Sequence, residues 1–246
     1  MRYFVILILF LLGGFIYCGY LNAGGVGEMR KEVESEIKES DRREVFEERL
    51  REVVTKRGEP EIAKLLQFTR EYPDSKFVED ASLVANFTSF VNLLSDNKIN
   101  PFSGADRFSE CIKDISTVVS QSPSGQFRES TYRKIKEMGA VNRDTKYYAI
   151  RIPYKYLGNY LGGMMAVKFG NWQAVIDNFS ILKGALNYSR DCKDVFEFDV
   201  YPNLAAAYMN LKKKGEAVNI IDEALGKFPD DEKLKQIKQE IEVNKK

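Results

Sequence analysis

The chain of 246 residues carries 37 lysines and arginines against 36 aspartates and glutamates, a formal net charge of +1, so no strong field of either sign draws nucleic acid or anionic lipid to it. Histidine is absent, which excludes Ser-His and Cys-His catalysis and histidine-ligated zinc. Cys18, Cys111 and Cys192 lie far apart with no Cys-x-x-Cys, so neither a structural zinc site nor a disulfide-dense scaffold is encoded, and no metal or cofactor is expected.

Residues 1–27 read as a signal peptide or membrane anchor. After Met1 and Arg2, the stretch from Tyr3 to Leu21 is uncharged, with an apolar front half from Phe4 to Leu12. Its length approaches the roughly 20 residues that cross a bilayer. Leu21-Asn22-Ala23 places a small residue at a cleavage point and a bulky one two places before it, so cleavage and retention both stay open. Tyr17 before Cys18 departs from the small residue that normally precedes a lipidated cysteine. Arg2 holds the N-terminus inside, and the remainder is expected outside the cytoplasm, tethered at the membrane through residues 3–21 or released. In an oxidising compartment Cys111 and Cys192 either pair or stay as two buried thiols.

Residues 28–57 form a charged juxtamembrane helix. Glu34 to Lys38, Glu39 to Arg43, Glu47 to Arg51 and Glu52 to Lys56 are i, i+4 pairs with the acid first, the favourable order on a solvated face. Val33 and Ile37, then Phe46, Leu50, Val53 and Val54, give an apolar stripe, sparse in its first half. Gly58 and Pro60 end this helix and open the next.

Residues 58–145 read as further helices: a short one through Ile62, Leu65, Leu66 and Phe68, one from Phe77 to Leu94, then Ala105 to Val119 and Phe127 to Met138. Asn97 to Gly104 reads as a loop, and Ser120 to Gly125 as a turn. An aromatic-rich helix from Asp144, broken or started afresh near Pro153, runs to Phe169, and residues 146–246 further hold a turn at Gly170-Asn171 and a returning helix from Trp172 to Leu182. Helices at Val200 to Leu211, Glu216 to Phe228 and Asp231 to Val243 follow. No stretch alternates as a strand would, so the expected fold class is all-α, in antiparallel hairpins.

Self-similarity is clearest at the C-terminus. Tyr201, Leu204, Ala205 and Tyr208, followed by Ala217, Ile221, Ala224 and Pro229, stand at the signature positions of a helix hairpin, and residues 198–231 resemble the tetratricopeptide repeat (TPR) family. A degenerate copy lies near 156–189, with Gly163, Gly170, Trp172, Val175 and Phe179 in register but Asn159 and Gly162 where large apolar residues are usual. Val175 and Ala217 are 42 positions apart, beyond the repeat's period of about 34, so an insertion is expected near Asp191 to Phe198. Tyr72-Pro73-Asp74-Ser75-Lys76-Phe77 with Ala81 is similar to a third junction, as in exported bacterial TPR proteins, while residues 96–145 are not covered. The resemblance implies hairpins stacked as a short α-solenoid, with Asp231 to Val243 as a terminal cap presenting Leu234, Ile237 and Ile241 to the last repeat.

The resemblance also implies the function: an exported scaffold or adaptor of the cell envelope that grips a peptide or helix of a protein partner, with neither an enzymatic role nor a small-molecule substrate expected. First helices of such repeats line a concave groove, which here points to Asp199, Pro202, Asn203, Ala206, Met209 and Asn210, the two asparagines being able to bond a peptide backbone. Other readings remain. Asp191, Asp194, Glu197 and Asp199 cluster between aromatic helices; a solvated loop is the plain interpretation, and paired carboxylates of a periplasmic hydrolase or glycan-binding protein the alternative, favoured if one of them near Asp191 or Glu197 is strongly raised in pKa. A coiled coil through residues 28–57 lacks sustained heptads, and a holdase requires an exposed apolar patch. Ser35-Glu36-Ile37-Lys38 with Ser95-Asp96-Asn97 matches part of a serine β-lactamase pattern but lacks its Lys-Thr-Gly and its sheet. Asn86-Phe87-Thr88, Asn178-Phe179-Ser180 and Asn187-Tyr188-Ser189 match glycosylation acceptors, with Phe87 and Phe179 expected in the core. Aromatic residues between Tyr147 and Tyr208 exceed what helix packing alone requires, leaving a surplus for a surface.

Overall fold

A computed structural model describes residues 23–186 and 192–243. Among them the regular structure is helical, with no strand. The predicted membrane segment at 3–21, Asp191 and Asn187-Tyr188-Ser189 lie outside the described residues, and among the described residues no helix is long and apolar enough to cross a membrane. The chain divides into two compact units, Met1–Val45 and Phe46–Lys246.

Helix α1, Ala23–Lys56, starts in the first unit. From Glu32 to Val45 no side chain is buried, and Val33 and Ile37 are 50% and 55% exposed, as the sparse apolar spacing there implies. In the second unit Phe46, Leu50, Val53 and Val54 are all buried. Lys56 pairs with Glu52 at 3.2 Å in the predicted i, i+4 register. Arg57 ends the helix at φ +57°, so the left-handed residue is Arg57 and not Gly58. Asn92 holds it there by donating to the Arg57 carbonyl at 2.7 Å.

Helices α2 (Glu59–Glu71), α3 (Val78–Ser95) and α4 (Pro101–Gln121) follow. The predicted loop at 97–104 is shorter than expected, because Pro101 opens α4, where a ring that fixes φ and removes an N–H suits a first turn. Next come α5 (Glu129–Glu137), a 3₁₀ turn at Tyr147–Arg151, and α6 (Tyr154–Phe169) with α7 (Trp172–Leu186). A single helical turn at Lys193–Val195 and a π-helical stretch at Phe196–Val200 lead directly into α8 (Tyr201–Asn210), followed by α9 (Lys214–Lys227) and α10 (Glu232–Val243). The expected insertion between the repeat-like segments is thus partly helical.

Consecutive helices pair across short turns: α2 with α3, α3 with α4, α6 with α7, α8 with α9 and α9 with α10. Between pairs, α6 touches α3 and α4, and α8 touches α7. The residues that carry the C-terminal resemblance lie at these contacts, Tyr201, Leu204, Ala205, Ala217, Ile221 and Ala224 being buried, Tyr208 half-buried and Pro229 exposed. In the α6–α7 hairpin, Gly170 adopts φ +69° to close α6, and Gly163 is in close contact with the Phe179 ring. Gly162 faces the Asn178 side chain, which accepts from Asn159 Nδ2 at 3.5 Å. Both positions thus meet the polar side chain of Asn178.

Among the described residues, most of the aromatic side chains of this region lie in the interior. Tyr147, Tyr148, Tyr154, Tyr160, Phe196 and Tyr201 are buried, and Tyr156, Trp172, Phe198 and Tyr208 are half-buried, so none of these faces solvent as an open patch. No disulfide joins Cys111 to Cys192; Cys192 is buried as expected, whereas Cys111 is half-buried. Phe87 and Thr88 are buried in the middle of α3, and Asn178 donates to the Ala174 carbonyl at 2.8 Å within α7. Neither sequence is the accessible loop that an oligosaccharide requires.

Candidate functional site

The predicted groove residues separate into two places on α8 and the π-turn before it. Asp199 does not face a groove. Its side chain is buried, because the wider π-turn brings its carboxylate inward against two neighbouring elements. Tyr148 of the 3₁₀ turn and Tyr160 of α6 each donate to Oδ2 at 2.7 Å, and Lys146 donates to Oδ1 at 2.7 Å. Burial and then the Asp199 charge raise both tyrosine hydroxyls above their ordinary range, keeping them as donors. A buried carboxylate is tolerated when it is paired and hydrogen-bonded in this way. Asn203 is also committed, donating to the Asp199 carbonyl at 2.8 Å.

Ala206, Met209 and Asn210 do share a cleft. With Pro202 and Ala205 of the same helix and Ile237, Glu240 and Ile241 of α10, they line a cavity of about 270 Å³. The floor is mainly apolar, while Asn210 and Glu240 supply the polar edge. The Asn210 amide donates to the Ala206 carbonyl at 2.8 Å, which leaves its side-chain oxygen as an acceptor. Ile237, half-buried, and Ile241, buried, were expected on the inner face of α10; they form the second wall of this cleft. Their spacing of four on one face of α10, opposite 202, 205, 206 and 209 on α8, is the sequence signal that would have placed them in the site.

The acidic segment before α8 is not a solvated loop throughout. Asp199 is buried, and Glu197 is raised above the usual carboxylate range by burial and then by a hydrogen-bonding contact with the Asp231 carboxyl. Asp231 in turn accepts from the Leu234 backbone N–H at 3.0 Å as the N-cap of α10 and pairs with Arg143 at 3.2 Å. Arg143 lies over the Phe198 ring at 4.2 Å. Two carboxyl groups in contact leave no room for a glycosidic oxygen and an attacking atom, which need a separation of about 5–9.5 Å. The chemistry of this pair is that of a helix cap and an ion pair.

A separate cavity of about 310 Å³ is lined in part by Asn86, Ser89, Arg107, Glu110, Cys111 and Asp114. None of the predicted site residues enters it. Burial, then the charges of Asp114 and Glu110, push the Cys111 thiol up to about 11, which makes it a poor nucleophile near neutrality. Among the described residues no group of three or more aspartates, glutamates and cysteines is placed to hold a metal ion.

No protein-family model, curated protein or solved structure matches the chain.

Proposed function

We propose that the protein is a TPR-type interaction scaffold of the cell envelope, tethered at the membrane or released into the periplasm according to the fate of residues 3–21, and that it grips a peptide or helix of a protein partner. The cleft between α8 and α10 carries this reading. It combines an apolar floor from Pro202, Ala205, Ala206, Met209, Ile237 and Ile241 with a polar rim from Asn210 and Glu240. That mixture suits an apolar side chain whose flanking backbone seeks hydrogen bonds. The burial of Tyr201, Leu204, Ala205, Ala217, Ile221 and Ala224 supports the repeat-type hairpin on which the cleft is built.

The test is photo-crosslinking in intact cells from Met209, with Glu39 on α1 as the control position, in the native chain and in the variant Ala206→Arg, whose side chain fills the cleft. One envelope protein captured from Met209, absent from Glu39 and lost on filling the cleft, is the expected result. Capture that Ala206→Arg leaves unchanged removes the cleft from the account, and the absence of any capture from Met209 removes the scaffold reading itself.

A further inference from the structure

We propose that the Asp80 carboxyl group is a proton-operated clasp, fastening α5 to the first turn of α3 more tightly with a proton bound than without.

The first turn of α3 is where several distant segments are tied down. Glu79 Oε1 accepts from Ser122 in the α4–α5 connection at 2.8 Å and from the Tyr154 hydroxyl at the start of α6, also at 2.8 Å. Asp80, one residue on, is 1% exposed. Its Oδ2 accepts from Thr131 Oγ1 of α5, and Arg128 Nε lies 3.3 Å away just before that helix. Arg128 also donates to the Lys76 carbonyl at 2.6 Å and lies over the Phe77 ring at 5.5 Å. Thus α5 is held to α3 by a carboxylate that is taken out of water, while the cation beside it is still 36% exposed in its side chain.

The charged and titratable groups facing Asp80 are Glu79 on its own helix, Arg128 at the start of α5 and the Tyr154 hydroxyl of α6. Burial is the strongest influence and favours the neutral acid; Glu79 adds to it, while Thr131 and Arg128 oppose it, and the balance sets Asp80 at about 6. Thr131 can donate to the neutral acid's carbonyl oxygen as it does to the carboxylate, so protonation removes the cost of a buried charge without breaking that bond. A native carboxyl that holds its proton above the unfolded range stabilises the docked state fully below that range, and the contribution is lost as the pH rises through about 6.

Hydrogen exchange at the backbone amides of residues 129–137 in the full chain, corrected for the intrinsic pH dependence, reads the clasp directly. Between about pH 7.5 and about pH 5 protection should rise by roughly tenfold, and in Asp80→Asn it should stay level. Should Asp80→Asn fail to fold, Arg128→Gln serves instead: loss of the nearby positive charge should move the midpoint of the profile to higher pH. Protection that does not change with pH in the native chain, a slope that survives in Asp80→Asn, or a midpoint that Arg128→Gln leaves in place or lowers overturns the proposal.

Discussion

A methyl group at Gly163 would come within 2.3 Å of the Phe179 ring, closer than carbon atoms approach, so α6 and α7 keep their spacing because this residue has no side chain. Gly158 lies on the same helix, exposed, with nothing within 4 Å of a Cβ placed there. The two glycines should therefore respond oppositely to alanine. Gly158→Ala should gain about 0.5–1 kcal/mol from helix propensity, whereas Gly163→Ala should lose roughly 1–2 kcal/mol after the same gain is set against overpacking. Urea denaturation of both variants measures the difference in sign. Gly163 was legible in the sequence because a small residue there permits the close approach of the two helices on either side of the Gly170-Asn171 turn. Asp199 was not. Its burial depends on Tyr148, Tyr160 and Lys146, which are 51, 39 and 53 positions away, and local polarity alone predicts a solvated acid there. The same holds for Asp80, whose Thr131 and Arg128 partners come from α5, a helix outside any recognisable repeat.

At the scale of single helices, α3 shows how one element completes another. Its C-terminal carbonyls have no partner within the helix, and Lys168 near the end of α6 donates to the Leu94 and Asp96 carbonyls at 2.9 and 2.8 Å. Lys168→Met keeps the aliphatic stem and removes both donors. It should cost about 1–3 kcal/mol, as expected when hydrogen bonds to a charged group are lost. Faster amide exchange confined to the end of α3 and the turn after it would place the loss there; uniform destabilisation without that local signature would contradict the capping role. The main helices were readable from apolar spacing, including α5, expected at 127–138 and found at Glu129–Glu137, whereas the stretch from Asp144 to Ile152, also read as helical, is a turn and a 3₁₀ segment. The π-turn was not readable, since Phe196-Glu197-Phe198-Asp199-Val200 is composed like an ordinary helix, and the two tyrosines that receive Asp199 lie in distant elements.

For the molecule as a whole, the division at Val45 and Phe46 marks where burial begins along α1. The second unit has its own core, starting with Phe46, whose ring stacks on Phe77 at 4.8 Å between centroids. A chain lacking residues 1–45 should therefore retain its helical circular dichroism, with a melting temperature within about 4 °C of the full chain, equivalent to less than roughly 1 kcal/mol for a unit of this size. A larger fall would mean that the charged segment of α1 contributes to the fold and does not serve only as a spacer. Within the second unit, two side-chain bonds pass over whole hairpins: Tyr154 to Glu79 spans 75 positions and Arg143 to Asp231 spans 88. A stack in contact only with its nearest neighbours peels under tension one layer at a time. Here a pull on the two ends of this unit reaches each of these staples before the helices enclosed between them can be drawn out, so the chain yields in larger blocks.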